Sequence, residues 1–267
     1  MTGNTVQLEK CGAIFRVNLN VPDRLNAISE ALIADLISVL DACKSDPAMR
    51  VLVLTGTGSA FCAGADLNAS FLREGDVQER KSGLKRAMDK GFNELVRRLI
   101  DMPAPTVAAV NGTAAGGGCG LALACDIVIA AESAKFIFVF TSQLGLIPDM
   151  GCTWHLARTL GRSQSIASAF FGEPISAPKA EEYGMIWKSV PDADFPEFID
   201  VTAERLSCGP QRAYVATRHA LDKALLNPLE AQLDLEAEIQ PDLLISEEFA
   251  EGVDAFFHKR KPQFNKN

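Results

Sequence analysis

The sequence has no block of basic charge, no paired cysteines and no long apolar run, and each lack argues against a class of function. With 26 Lys and Arg against 34 Asp and Glu, the formal charge is -8. No stretch gathers enough cations to follow a phosphate backbone, so nucleic acid is not expected as a partner. The densest basic run, His258-Lys-Arg-Lys261, sits almost at the C-terminus and reads on composition alone as a solvated tail. The seven cysteines (11, 43, 62, 119, 125, 152 and 208) are odd in number and contain no CxxC pair. Neither a zinc site, nor any other metal, nor a disulfide framework is therefore expected, and reduced thiols in a cytoplasm or organelle matrix fit better. The opening Met1-Thr-Gly-Asn-Thr has no charged segment followed by an apolar one, so no secretory leader is expected. No apolar run approaches the roughly 20 residues that cross a bilayer. The expectation is a soluble, cytoplasmic protein with no membrane partner.

What is present is a chain of 267 residues, 48% hydrophobic, with enough length for one large α/β core and a helical appendage. Residues 12–19 read as a strand. Ser29 is a plausible N-cap for a helix to about residue 44, because Leu32, Ile33, Leu36, Ile37 and Leu40 fall on one face. Val51-Leu-Val-Leu and Thr106-Val-Ala-Ala-Val are short continuous apolar runs of the kind buried on both sides of a sheet, and Asp126-Ile-Val-Ile-Ala adds another. Residues 68–90 are polar and weakly patterned, and read as a mobile surface segment that could cover a site. Beyond about residue 160 the segments 162–172, 177–184, 193–207, 210–225 and 229–258 read as helices. The layout suggests a βα core over residues 1–195 and a helical region over 196–267.

Two small-residue segments each follow a buried strand: Phe61-Cys-Ala-Gly-Ala-Asp-Leu67 and Asn111-Gly-Thr-Ala-Ala-Gly-Gly-Gly-Cys-Gly120. The second leads into a helix, whose first-turn N–H groups lack intrahelical partners. Its spacing is not the G-x-G-x-x-G of a dinucleotide site, and it lacks the Lys-Ser/Thr of a phosphate loop. Tight-turn packing is the plain explanation for either segment alone. Together, two turns that each offer a backbone N–H are what an oxyanion on a thioester requires.

At this point the sequence resembles the enoyl-CoA hydratase/isomerase (crotonase) superfamily. The likeness rests on Arg24-Leu-Asn-Ala27, Phe61-Cys-Ala-Gly-Ala-Asp66, Ala109-Val-Asn-Gly112, Gly116-Gly-Gly-Cys119, Cys125-Asp126, Gly145-Leu-Ile-Pro148, Ala180-Glu-Glu-Tyr-Gly184 and Lys259-Arg-Lys-Pro262. Within the superfamily it runs to the ring isomerases that act on epoxyphenylacetyl-CoA, through Ala134-Lys-Phe-Ile, Gly145-Leu-Ile-Pro-Asp149, Thr153-Trp154, Gly184-Met-Ile-Trp187 and Gln232-Leu-Asp-Leu-Glu236. Where that pattern favours a Gly-Gly turn, this chain has Met150-Gly-Cys. The resemblance implies an α/β fold, a crotonase-like spiral of ββα units with a C-terminal helical trimerisation region, assembled as a homotrimer or homohexamer. It implies an acyl-CoA substrate whose coenzyme A is part of the thioester, with no separate cofactor. It also places the oxyanion donors at the backbone N–H groups of Ala65 and Gly117. Leu25, Ala27 and Ala63 would line the coenzyme A channel, and Lys259 would approach its phosphates.

Hydratases of this superfamily use two Glu residues, which would fall at Gly120 and at Phe140 or Thr141 here. None of these can act as an acid or base, so an isomerase is favoured over a hydratase. Asp149 remains, at a turn where the resemblance implies a working carboxylate, although Asp after proline also suits a turn for its local hydrogen bonding. One carboxylate suffices to carry a proton between two carbons, and an apolar setting supplied by Phe138, Phe140 and Trp154 would raise its pKa. His155 has no Ser or Cys partner in view, and Cys62 and Cys119 read as small packing residues. The competing readings are a lyase, hydrolase or hydratase reaction on the same scaffold, and an acyl-CoA-binding protein without catalysis.

Overall fold

The computed structural model describes residues 5–264. A hairpin opens the chain, β1 (Val6–Cys11) pairing antiparallel with β2 (Ile14–Leu19). β3 (Val51–Gly56), β4 (Ala60–Cys62), β5 (Thr106–Val110), β6 (Thr113–Ala115), β7 (Ile127–Ala131), β8 (Lys135–Ile137), β9 (Ile175–Ser176) and β10 (Lys188–Val190) follow. They form two sheets. The larger has the order β1-β2-β3-β5-β7-β10 and is parallel from β2 onward; the smaller has the order β4-β6-β8-β9. β3 and β5 are apolar on both faces because helices cover both sides of the sheet, as parallel pairing requires.

The helix Glu30–Ser45 starts where the sequence places it, with the Ser29 hydroxyl accepting from the Leu32 N–H at 3.2 Å. Its Leu32, Leu36, Val39, Leu40 and Cys43 enter the core. The 68–90 segment departs from expectation. It contains the helices Ser70–Arg73 and Val77–Ala87, then a π-turn over Met88–Phe92 leading into Asn93–Ile100. A reciprocal cap starts the longer one: the Asp76 carboxylate accepts from the Glu79 N–H and the Glu79 carboxylate from the Asp76 N–H, each at 2.8 Å. Asp76-Val-Gln-Glu79 is a capping-box pattern, a helix signal that the polar composition around it obscures.

The helix Phe195–Ser207 buries Phe195, Ile199 and Ala203 in the main core, so core packing continues past residue 195. The helices Gln211–Ala224 and Leu229–Leu244 contain no buried residue. Ser246 caps a further helix, Glu247–Phe257, which divides the segment expected to be continuous over 229–258. Arg218 ties this region to the core by donating to the Asp126 carboxylate (2.9 and 3.2 Å) and to the Met102 carbonyl.

Asn26 fixes the loop that begins the site. It is wholly buried with φ of +56°, a left-handed conformation that Asn tolerates better than most residues. Its side-chain oxygen accepts from the Val21 N–H (2.9 Å), and its amide donates to the carbonyls of Thr57, Ala60 and Phe61 (2.9–3.2 Å). Asn26→Ala would strip partners from these groups and lower unfolding stability by about 3 kcal/mol, read as a fall in the urea midpoint. An unchanged midpoint would mean that the loop is held elsewhere.

Candidate active site

The small sheet positions the site. β4 pairs in parallel with β6, Ala60 opposite Thr113 and Cys62 opposite Ala114, so the two strands end side by side. The turn after β4 carries Ala63 to Asp66, and the turn after β6 opens the helix Gly117–Leu123. Gly64 joins them at φ of +87°. A Cβ there would lie 2.7 Å from the Ala115 carbonyl oxygen and 3.2 Å from the Gly117 nitrogen, so only glycine permits both the conformation and the approach. The helix start packs equally close: a Cβ on Gly118 would lie 2.2 Å from the Cys62 carbonyl oxygen.

Residues 25–28 clamp the first turn. The Ala63 N–H donates to the Leu25 carbonyl (2.9 Å), Ile28 N–H to Gly64 (2.7 Å) and Asp66 N–H to Ile28 (3.1 Å). These bonds leave the Ala65 N–H pointing out of the ladder. Among the described residues, neither it nor the Gly117 N–H has an acceptor. Two donors on touching turns are thus available to an anionic oxygen. Leu25 is 47% exposed, and Ala27 and Ala63 are half-buried beside it. Asp66 has a supporting place, paired with Arg24 at 2.8 Å and accepting from the Asn68 N–H at 3.0 Å.

Asp149 reaches this region through its neighbour Met150. The Cys152 N–H donates to the Asp149 carbonyl at 2.9 Å, closing a turn whose central residues Met150 and Gly151 have φ of +50° and +81°. Met150 is 2% exposed. Its sulfur lies 2.7 Å from where a Cβ of Gly117 would be, and its Cβ and carbonyl oxygen each lie 2.6 Å from where a Cβ of Gly120 would be. The turn bearing Asp149 is therefore seated on the helix that offers the Gly117 N–H. Burial raises the Asp149 carboxyl from 3.8 to about 6. Sequence reasoning missed Met150; its signal was the pair Gly117 and Gly120, about one helical turn apart, which leave a notch on one helix face.

The remaining candidates divide. Phe140 is buried with its ring edge 3.8 Å from a Cβ built on Gly116, whereas Phe138 is wholly buried in the core. Trp154 is 39% exposed and carries the Arg158 guanidinium 3.9 Å over its ring. The His155 ring packs edge-on to Trp154 at 4.8 Å, and burial, reinforced by Arg158, lowers its pKa to about 4. Burial pushes the Cys62 and Cys119 thiols up to about 12, which leaves them un-ionised and poor nucleophiles at neutral pH. Lys259 is exposed just beyond the helix Glu247–Phe257, with φ of +52°. Among the described residues no hydrogen bond joins it to the turns at 25–28 or 63–66. Neither a cluster able to hold a metal ion nor a helix long and apolar enough to cross a membrane occurs among the described residues.

Known proteins resemble this chain in sequence and fold. Residues 9–267 match the family described as Enoyl-CoA hydratase/isomerase. The chain is 42% identical over 251 residues to the 1,2-epoxyphenylacetyl-CoA isomerase of Escherichia coli, covering 94% of each. It is 40% identical over 264 residues to a "probable enoyl-CoA hydratase" of Rhodobacter capsulatus, covering 99% of each. The fold superposes on an enoyl-CoA hydratase from Bacillus anthracis with a TM-score of 0.88 at 29% identity, over 98% of this chain and 100% of that one.

The raised pKa of Asp149 has a consequence for stability. An ionised carboxylate there costs the fold about 3 kcal/mol, the equivalent of moving from 3.8 to about 6. The cost is absent below pH 3.8, grows as the pH rises through 6 and is complete above it. Asp149→Asn carries no charge, so it should unfold at higher urea than the wild type at about pH 8 and lose that advantage at about pH 4. An equal difference at both values would mean that the carboxyl is solvated.

Proposed function

We propose, from the premise that this chain belongs to the enoyl-CoA hydratase/isomerase family, that it isomerises acyl-coenzyme A thioesters with Asp149 as its single base. The observation that carries the reading is one half-buried carboxyl, poised near 6, on a turn packed against the helix that presents the Gly117 N–H. In this reading the N–H groups of Ala65 and Gly117 hold the thioester oxygen. Asp149 takes a proton from one carbon, the electrons move onto the oxygen as an enolate, and the enolate collapses as Asp149 returns the proton to another carbon. Nothing is consumed, and coenzyme A enters and leaves as part of the substrate. A carboxyl with a pKa near working pH loses and regains a proton with comparable ease.

Side-chain chemistry at the two neighbouring positions supports isomerisation over hydration. Gly120 carries no side chain, and Phe140 and Thr141 supply no carboxylate to activate water. Hydration is the second reading, favoured by the relative named as a "probable enoyl-CoA hydratase" at 40% identity. Leu25, Ala27 and Ala63 would line the coenzyme A channel, with Lys259 near its phosphates once copies assemble. Phe140 and Trp154 would form the acyl wall. Assembly as a homotrimer or homohexamer is part of the proposal, since Leu226, Leu229, Leu244, Ile245, Phe256 and Phe257 are all exposed on the C-terminal helices.

Incubating the enzyme with a panel of unsaturated and ring-epoxide CoA thioesters in oxygen-18 water tests the assignment. Isomerisation gives products of unchanged mass, hydration gives products heavier by one labelled water, and background turnover on every thioester points to binding without catalysis. On a substrate that is processed, Asp149→Asn should lower kcat by about 10²- to 10⁴-fold. Wild-type kcat should rise with pH through a midpoint of about 6 as the base loses its proton. Full turnover by the variant would remove Asp149 from the mechanism.

A further inference from the structure

We propose that Met150 is a positioning residue whose side chain, locked into the notch formed by Gly117 and Gly120, holds the Asp149 turn against the helix Gly117–Leu123. The proposal rests on reading Asp149 as the proton carrier.

Three observations converge on it. The first is conformational. Two consecutive left-handed residues closed by the Cys152 to Asp149 bond suit a type I′ turn, whose first central position favours Asn, Asp or Gly. Met150 adopts that conformation against its own preference, which a residue does only when its surroundings fix it. The second is burial. At 2% exposure, with an unbranched side chain that fills irregular gaps well, Met150 leaves almost no surface free. The third is the fit. The sulfur covers Gly117 at 2.7 Å from a built Cβ, while Cβ and the carbonyl oxygen cover Gly120 at 2.6 Å. Any side chain at Gly120 would strike the Met150 backbone and displace the turn, and one at Gly117 would push the Met150 sulfur from its seat.

The two positions therefore exclude alternatives jointly. A carboxylate-bearing side chain at position 120 and the 149–152 turn as built here cannot occupy the same space. The lack of a carboxylate at 120 and the placement of one at 149 are a single structural arrangement. Ile28, whose Cδ1 lies 3.2 Å from a Cβ built on Gly117, closes the notch from the other side and links it to the clamp on the Ala63–Asp66 turn. Cys152 is a titratable neighbour that senses the Asp149 charge, itself held un-ionised by burial.

The test compares Met150→Ala, Met150→Leu and Gly120→Ala in the full-length protein. The Asp149 carboxyl is followed by carbon-13 resonance titration, assigned by its loss in Asp149→Asn. Met150→Ala should let water reach the carboxyl and lower its midpoint by about one pH unit or more. On a processed substrate it should lower kcat about tenfold with KM nearly unchanged. Met150→Leu, of similar volume and equally apolar, should keep both values close to wild type. Gly120→Ala should reproduce the Met150→Ala shift with Met150 intact, and it decides the matter alone if Met150→Ala does not fold. A midpoint unchanged in Met150→Ala, or in Gly120→Ala where that variant decides, overturns the proposal. Because the resonance needs no turnover, a fully active Asp149→Asn would sink the base assignment while the role of Met150 was still judged by its own titration.

Discussion

The site depends on one constraint: the parallel register of two three-residue strands. With Cys62 opposite Ala114, β4 and β6 end within one residue of each other, and the turns that follow have to share a space too small for side chains. Gly64 and Gly118 occupy that space, each where a Cβ would strike backbone. The close approach leaves two main-chain N–H groups without acceptors among the described residues. Unpaired backbone donors are costly when buried; of the two, Ala65 is exposed and Gly117 is buried at the start of its helix.

The surrounding charge has been kept sparse. Asp66 and Asp126 are committed to Arg24 and Arg218, and the nearby thiols are held in their neutral form by burial. His155 is likewise held neutral. Among the described residues, Asp149 is left as the one carboxyl raised to about 6 without an opposing cation. A group in that setting titrates at a pH fixed by the packing around it, so the shape of the turn and the chemistry of the carboxyl are one property.

Much of this was legible before any coordinates. Apolar runs at 51–54, 106–110 and 127–130 announced buried parallel strands, and Ser29 with its periodic leucines announced the first helix. The family likeness pointed to the turns at Ala65 and Gly117. The small sheet was not visible, because strands of two or three residues are too short to display a period. The hairpin strand Val6–Cys11 was hidden by its exposed, charged residues, which belong to a sheet edge. The helices within 68–90 lacked an apolar stripe to betray them, and only their cap carried the signal. Met150 was hidden for another reason. A left-handed methionine contradicts local preference, and what compensates for it lies about thirty residues earlier in the chain, in two glycines whose contribution is empty volume.

Because the free donors at positions 65 and 117 belong to the main chain, they are indifferent to which side chain stands there, so long as it fits. Substitution cannot erase them one residue type at a time; proline alone removes an N–H outright. The carboxyl and its supporting turn have no such immunity, since every part of them is encoded in side-chain identity. Sequence drift on this scaffold is thus channelled: the two N–H groups are held by backbone geometry, whereas the carboxyl and its turn change with the side chains along residues 138–155.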